Sequence, residues 1–122
     1  MTASREAHCP YSQFRVGAAL LTDDDEIVSG CNVENASSGL TICAERVAVF
    51  KAVSVGKRVF RAVVVYTPTP QPTAPCGACR QVLAEFAHDL DVVSCCDGPE
   101  VITTSLAELL PFRFGPEQLL GS

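Results

Sequence analysis

Apolar and polar positions alternate in short blocks along the chain. Residues 16–22 (VGAALLT) form an apolar run of strand length, 23–26 are Asp-Asp-Asp-Glu, and apolar character returns over 27–32. Two such runs around a compact polar break predict an antiparallel β-hairpin. Residues 34–40 (ENASSGL) are rich in turn formers. Over 41–55 the pattern is helical, with Val47, Val49, Phe50 and Val53 apolar and Gly56 as a stop. Residues 60–67 (FRAVVVYT) are apolar and β-branched, which predicts a central strand. Four prolines within 67–75 predict an irregular loop, because proline fixes φ and removes a backbone donor. A second helix follows over 77–87, then short strands at 91–95 and 100–104. The final helix is placed at 105–110, with Ser105 as N-cap and Glu108 at capping-box spacing.

The predicted order is β-β-α-β-α-β-β-α. Only Cys96-Asp97-Gly98-Pro99 separates the last two strands. A link that short cannot make a parallel crossover, so these strands run antiparallel if they pair. The fold class is therefore α/β, a mixed sheet with helices packed on it. No repeat or linker interrupts the 122 residues, and residues 1–122 read as one domain.

Composition adds three points. At 48% hydrophobic and 19% charged, the chain has more apolar surface than one small core hides, which predicts burial between subunits. The net charge is −5 and the nine Lys and Arg are scattered, so no basic stripe exists to track nucleic acid. No run reaches transmembrane length and the N-terminus lacks a signal-peptide pattern, so a soluble, cytoplasmic protein without a membrane partner is expected.

There are seven cysteines, an odd number that argues against a disulfide framework and for packed thiols, metal ligands or nucleophiles. Cys43-Ala44-Glu45-Arg46 opens the first main helix, and Pro75-Cys76-Gly77-Ala78-Cys79-Arg80 opens the second. Cys76 and Cys79 are one turn apart and point to the same side. Helix N-termini favour thiolate over thiol. Three thiolates suit Zn2+ and leave a fourth position open, as catalytic sites do. Positions i and i+2 do not share a helix face, so Cys43 should lie at the cap and Glu45 inside the first turn, where its carboxylate can move protons. Arg46 could donate hydrogen bonds that offset thiolate charge, and Arg80 is a weaker candidate for the same role. A structural zinc site would need a fourth protein ligand. His8, His88, Cys9, Cys31, Cys95 and Cys96 could supply one, but none stands at a motif-like spacing. The pattern of three cysteines with a non-ligand Glu matches zinc deaminases.

From Pro10 almost to the end, the chain resembles small, homotetrameric-type zinc-dependent cytidine deaminases. The blocks that carry the likeness are YSQFRVGAAL (11–20), GCNVENA (30–36), CAER (43–46), PCGACRQ (75–81), Leu110-Pro111 and Phe114-Gly115-Pro116. The resemblance implies a three-layer α/β/α cytidine deaminase-like fold, with a mixed five-stranded sheet and an antiparallel last strand. It implies one Zn2+ per chain on Cys43, Cys76 and Cys79, with Glu45 as proton shuttle. Asn32 and Glu34 would hold the ribose hydroxyl groups, Phe14 would pack on the pyrimidine, and the Ala44 backbone would contact the base. Phe114 would reach a neighbouring subunit's site in a homotetramer. The implied reaction is hydrolytic: activated water attacks C4 of cytidine or 2'-deoxycytidine, Glu45 protonates N3 and then the amine, and ammonia leaves uridine or 2'-deoxyuridine, a step of pyrimidine salvage. Taken singly, Asn32 and Glu34 would read as polar turn residues, and Phe14 and Phe114 as core or interface aromatics.

Two departures stand out. Ser38 occupies a position where many relatives carry Tyr or Phe, and only nine residues precede Pro10, so the leading helix of the resembled family is expected to be clipped or absent. Among other readings, a nucleotide deaminase is disfavoured because Glu34 would repel a phosphate. A nucleic-acid editor is disfavoured by the acidic charge and antiparallel last strands. A blasticidin-type deaminase and a non-catalytic zinc module are separated by an assay with cytidine.

Overall fold

The acidic break closes a hairpin as the pattern predicts: β1 (Gly17–Thr22) runs antiparallel to β2 (Ile27–Cys31). The computed structural model describes residues 2–87, 89–112, 114 and 116. Asp25 takes the left-handed conformation in this turn (φ 64°), which Asp tolerates through its short polar side chain. The other edge of β1 pairs antiparallel with β3 (Phe60–Tyr66), and β3 pairs parallel with β4 (Asp91–Cys95). β5 (Ile102–Ser105) returns antiparallel beside β4, starting two residues later than the pattern suggests. The order β2-β1-β3-β4-β5 makes β3 the central strand. The only parallel pair among these strands is β3–β4. There the connection contains a whole helix, α2 (Gly77–Phe86), long enough to carry the chain back over the sheet. The result is the mixed five-stranded α/β sheet with an antiparallel last strand that the sequence predicts.

The first main helix, α1 (Ala44–Ser54), begins three residues later than its periodicity implies, because residues 41–43 stay extended. Its buried residues are Ala44, Glu45, Ala48, Val49 and Ala52, while Phe50 is 49% exposed. The reason is the close approach of β2. A Cβ on Gly30 would lie 2.5 Å from the Ala48 nitrogen and 2.7 Å from the Ala44 oxygen, so only small residues fit between strand and helix. α1 and α2 pack against each other over a core of Leu20, Val63, Val65, Val92 and Leu83. A 3₁₀ turn at Thr2–Glu6 lies against β1 and β2. α3 (Leu106–Leu109) is capped by Ser105, whose Oγ accepts from the Glu108 N–H at 3.2 Å. Its buried Leu106 joins the core. No helix among the described residues is long and apolar enough to cross a membrane.

The proline loop between β3 and α2 is fixed from two sides. The Asp97 N–H donates to the Thr69 carbonyl (2.9 Å), and the Cys96 thiol to that of Pro70 (3.6 Å). On the other side, Arg80 donates from Nε to the Pro75 carbonyl (2.8 Å) and from Nη1 to that of Leu109 (2.9 Å). Both guanidinium bonds go to backbone, so Arg80 anchors this loop and does not temper thiolate charge, contrary to the weaker of the two arginine expectations.

Candidate active site

Two helix starts converge beyond the sheet. Cys43 is the N-cap of α1 (φ −71°, ψ 155°), and Cys76 is the N-cap of α2, its sulfur accepting from the Cys79 N–H at 3.5 Å. The Cys43 and Cys76 sulfurs are 3.8 Å apart, those of Cys76 and Cys79 are 3.3 Å apart, and all three lie within 4.8 Å of one another. Tetrahedral zinc with bonds of about 2.3 Å places its sulfur ligands roughly 3.8 Å apart, so the cluster has the size and donor chemistry of a zinc site. This is the metal-capable cluster found among the described residues, with no fourth His, Cys, Asp or Glu within it. All seven cysteines are free thiols. His88 lies outside the described residues.

The electrostatics of the cluster are set by shared protons. The Cys79 thiol donates to Cys43, and Arg46 adds charge and a hydrogen bond, so Cys43 is lowered to about 5 against the cost of burial. The same contact with Cys43, followed by burial, pushes Cys79 far up. Arg46 Nη2 lies 3.5 Å from the Cys43 sulfur and 3.5 Å from the Thr41 carbonyl. Its buried Nε has no partner. Glu45 is 4% exposed, and burial pushes its carboxyl up, reinforced by the negative Cys43. A carboxylate poised closer to neutral is a better proton carrier at physiological pH.

A cavity of about 220 Å³ opens beside the sulfurs, lined by Phe14, Val16, Asn32, Ile42, Glu45 and Thr67 together with Cys43, Ala44 and Cys76. Cys79 is fully buried. The volume is below the roughly 300–1,000 Å³ of drug-sized pockets, which suits a small ring. Thr67, buried at the end of the central strand, was not singled out from sequence. The available signal was its place after the carboxyl end of a parallel strand, where open α/β sheets hold ligands.

The remaining candidates fall into two groups. Phe14, Asn32 and Ala44 line the cavity. The Asn32 Nδ2 donates to the Phe14 carbonyl (2.7 Å) and its Oδ1 accepts from the Val16 N–H (3.0 Å), so its amide also shapes the wall. Glu34 is not among the lining residues. Its Oε1 accepts from the N–H groups of Tyr11 (3.1 Å) and Ser12 (3.2 Å), and its Oε2 from the Ser12 hydroxyl. The Ser12 hydroxyl and these N–H groups hold the Glu34 carboxyl below its usual range. Phe114 is 57% exposed, its carbonyl accepts from Gln81 Nε2 (2.5 Å), and it does not line this chain's own cavity. Gly115 lies outside the described residues. Ser38 begins a short 3₁₀ turn, Ser38–Leu40, before α1.

Residues 1–96 match the model of the cytidine and deoxycytidylate deaminase zinc-binding region. A cytidine deaminase of Sporosarcina psychrophila is 48% identical over 118 residues, 96% of this chain and 87% of that protein. A probable cytidine deaminase of Dictyostelium discoideum is 50% identical over 116 residues, 94% of this chain and 78% of that protein. The crystal structure of a Burkholderia pseudomallei cytidine deaminase superposes with a TM-score of 0.89 at 49% identity, over 93% of this chain and 91% of that one.

Proposed function

This chain belongs to the cytidine and deoxycytidylate deaminase family and is a zinc-dependent cytidine deaminase, and from that premise we propose how its residues carry the reaction. Cys43, Cys76 and Cys79 would hold one zinc ion, which would supply the Lewis acidity that makes water a competent nucleophile near neutral pH. Glu45 takes a proton from the attacking water and delivers it to N3 of the base, and later protonates the departing amine. A C4–O bond forms, the C4–N bond breaks, and cytidine or 2'-deoxycytidine becomes uridine or 2'-deoxyuridine plus ammonia. Phe14 packs on the pyrimidine, and the Ala44 backbone at the start of α1 contacts its polar edge. Asn32, which retains one N–H and one lone pair beyond its wall contacts, and Glu34 hold the sugar hydroxyls. Arg46 donates toward Cys43 and offsets thiolate charge.

The observation that carries this reading is the cluster of three sulfurs within 4.8 Å, of which Cys43 and Cys76 line one small cavity together with the buried Glu45. Residues 1–122 then act as one deaminase domain, supported by a single sheet and one core. We place the protein in the cytoplasm, in keeping with its free thiols. We assign it a homotetramer in which Phe114, exposed in the single chain, completes a neighbour's pocket. The test is Glu45→Gln. It should keep zinc and fold while turnover, followed by the fall in near-ultraviolet absorbance of cytidine, drops about 10²–10⁴-fold. Near-normal turnover would end the assignment of Glu45.

A further inference from the structure

The segment that carries Phe14 is held by polar contacts more than by packing. Phe14 is 40% exposed, and Gln13 before it sits at φ 57°, a left-handed conformation uncommon for residues other than Gly, Asn and Asp. The Gln13 N–H donates to the Cys9 carbonyl at 2.8 Å. Both polar groups that flank Phe14 are taken: its N–H donates to Ser12 Oγ (3.0 Å), and its carbonyl accepts from Asn32 Nδ2 (2.7 Å).

Ser12 makes a second bond from the same oxygen, donating to Glu34 Oε2 across 22 residues of chain. A hydroxyl accepting from the N–H two residues on is a common local turn and by itself means little. The link to Glu34 gives it a different weight. Each carboxylate oxygen offers about two acceptor sites. Among the described residues, Oε1 spends both on the N–H groups of Tyr11 and Ser12, whereas Oε2 receives only the Ser12 hydroxyl and keeps one site open. Oε2 is therefore the oxygen that can accept from an incoming sugar hydroxyl, and Ser12 decides where it points.

We infer that Ser12 is a positioning residue that sets the sugar contact of Glu34 and the base contact of Phe14 through one hydroxyl. The inference rests on the substrate roles proposed above for Glu34 and Phe14. Ser12 is exposed and far from the cluster in its bonding, so its loss should leave the chemical step intact and loosen substrate placement.

Steady-state kinetics of the zinc-loaded enzyme separate the possibilities. Ser12→Ala should raise the KM for cytidine about tenfold, as expected for a lost bond to a charged group, with kcat within about twofold. Ser12→Thr, which keeps the hydroxyl at an exposed position, should restore most of the KM. With 2',3'-dideoxycytidine, which lacks the 2' and 3' hydroxyls, the Ser12→Ala effect should shrink. An unchanged KM in Ser12→Ala, a loss confined to kcat, or failure of Thr to rescue would overturn the inference. Glu34→Gln is the control. If it raises KM while Ser12→Ala does not, the positioning role alone falls. If Glu34→Gln also leaves KM unchanged, the sugar role of Glu34 fails and takes the inference with it.

Discussion

Replacing Gly30 by Ala tests how the fold aims its site. The added Cβ would sit 2.5 Å from the Ala48 nitrogen, 2.7 Å from the Ala44 oxygen and 3.0 Å from the Ala48 Cα. All three are backbone atoms of α1, so no side chain can rotate away, and the closest contact is nearly an ångström short of ordinary van der Waals separation, which begins at 3.4 Å. The helix must retreat from β2 or the strand must bend. Overpacking of this kind costs about 1–3 kcal/mol. For a domain of this size that lowers Tm by roughly 3–15 °C. The functional cost should exceed the stability cost, because the atoms pressed belong to the first turns of α1, which follow the N-cap Cys43 and contain Glu45. A misplacement of about 1 Å can cost 10²-fold in rate. The assay is paired: thermal melting with zinc content, and cytidine turnover well below Tm. A variant with wild-type Tm and wild-type turnover would refute the claim that the β2–α1 contact positions the catalytic turn.

Cys76→Ala should abolish zinc binding and activity together, measured by metal analysis and the absorbance assay, since two remaining sulfurs cannot complete a three-ligand site; a folded, active, zinc-free variant would overturn the metal assignment. Arg46→Ala should reduce turnover more than zinc content, because its Nη2 reaches the Cys43 sulfur without being a ligand; equal turnover would return Arg46 to an ordinary structural role. Light scattering of the purified protein should give four chains per particle, and Phe114→Ala should raise the KM for cytidine; a fully active monomer would show that each chain builds its whole pocket alone.

Much of this protein is written in local sequence. The Cys-Gly-Ala-Cys spacing puts two sulfurs on one side of a helix start, whatever the rest of the chain does. The short link between β4 and β5 allows only an antiparallel return, and the β-branched run at 60–67 belongs in the middle of a sheet. These readings succeed because each depends on contacts within a few residues. Others could not be read that way. Phe50 belongs to the apolar pattern of the helix, yet it is 49% exposed, and Gly30 brings β2 so close that α1 meets it at Ala44 and Ala48. Arg80 follows a cysteine ligand in sequence, but its guanidinium is captured by the carbonyls of Pro75 and Leu109. Glu34 resembled a free turn carboxylate, whereas the turn at 11–12 folds onto it. Cys43 meets Cys76 across 33 residues only because β3 is placed between β1 and β4, so that α1 and α2 start at the same end of the sheet. Spacing along the chain fixes which groups share a turn. Strand order and the closeness of packed backbones decide which turns meet, and those are properties of the whole chain.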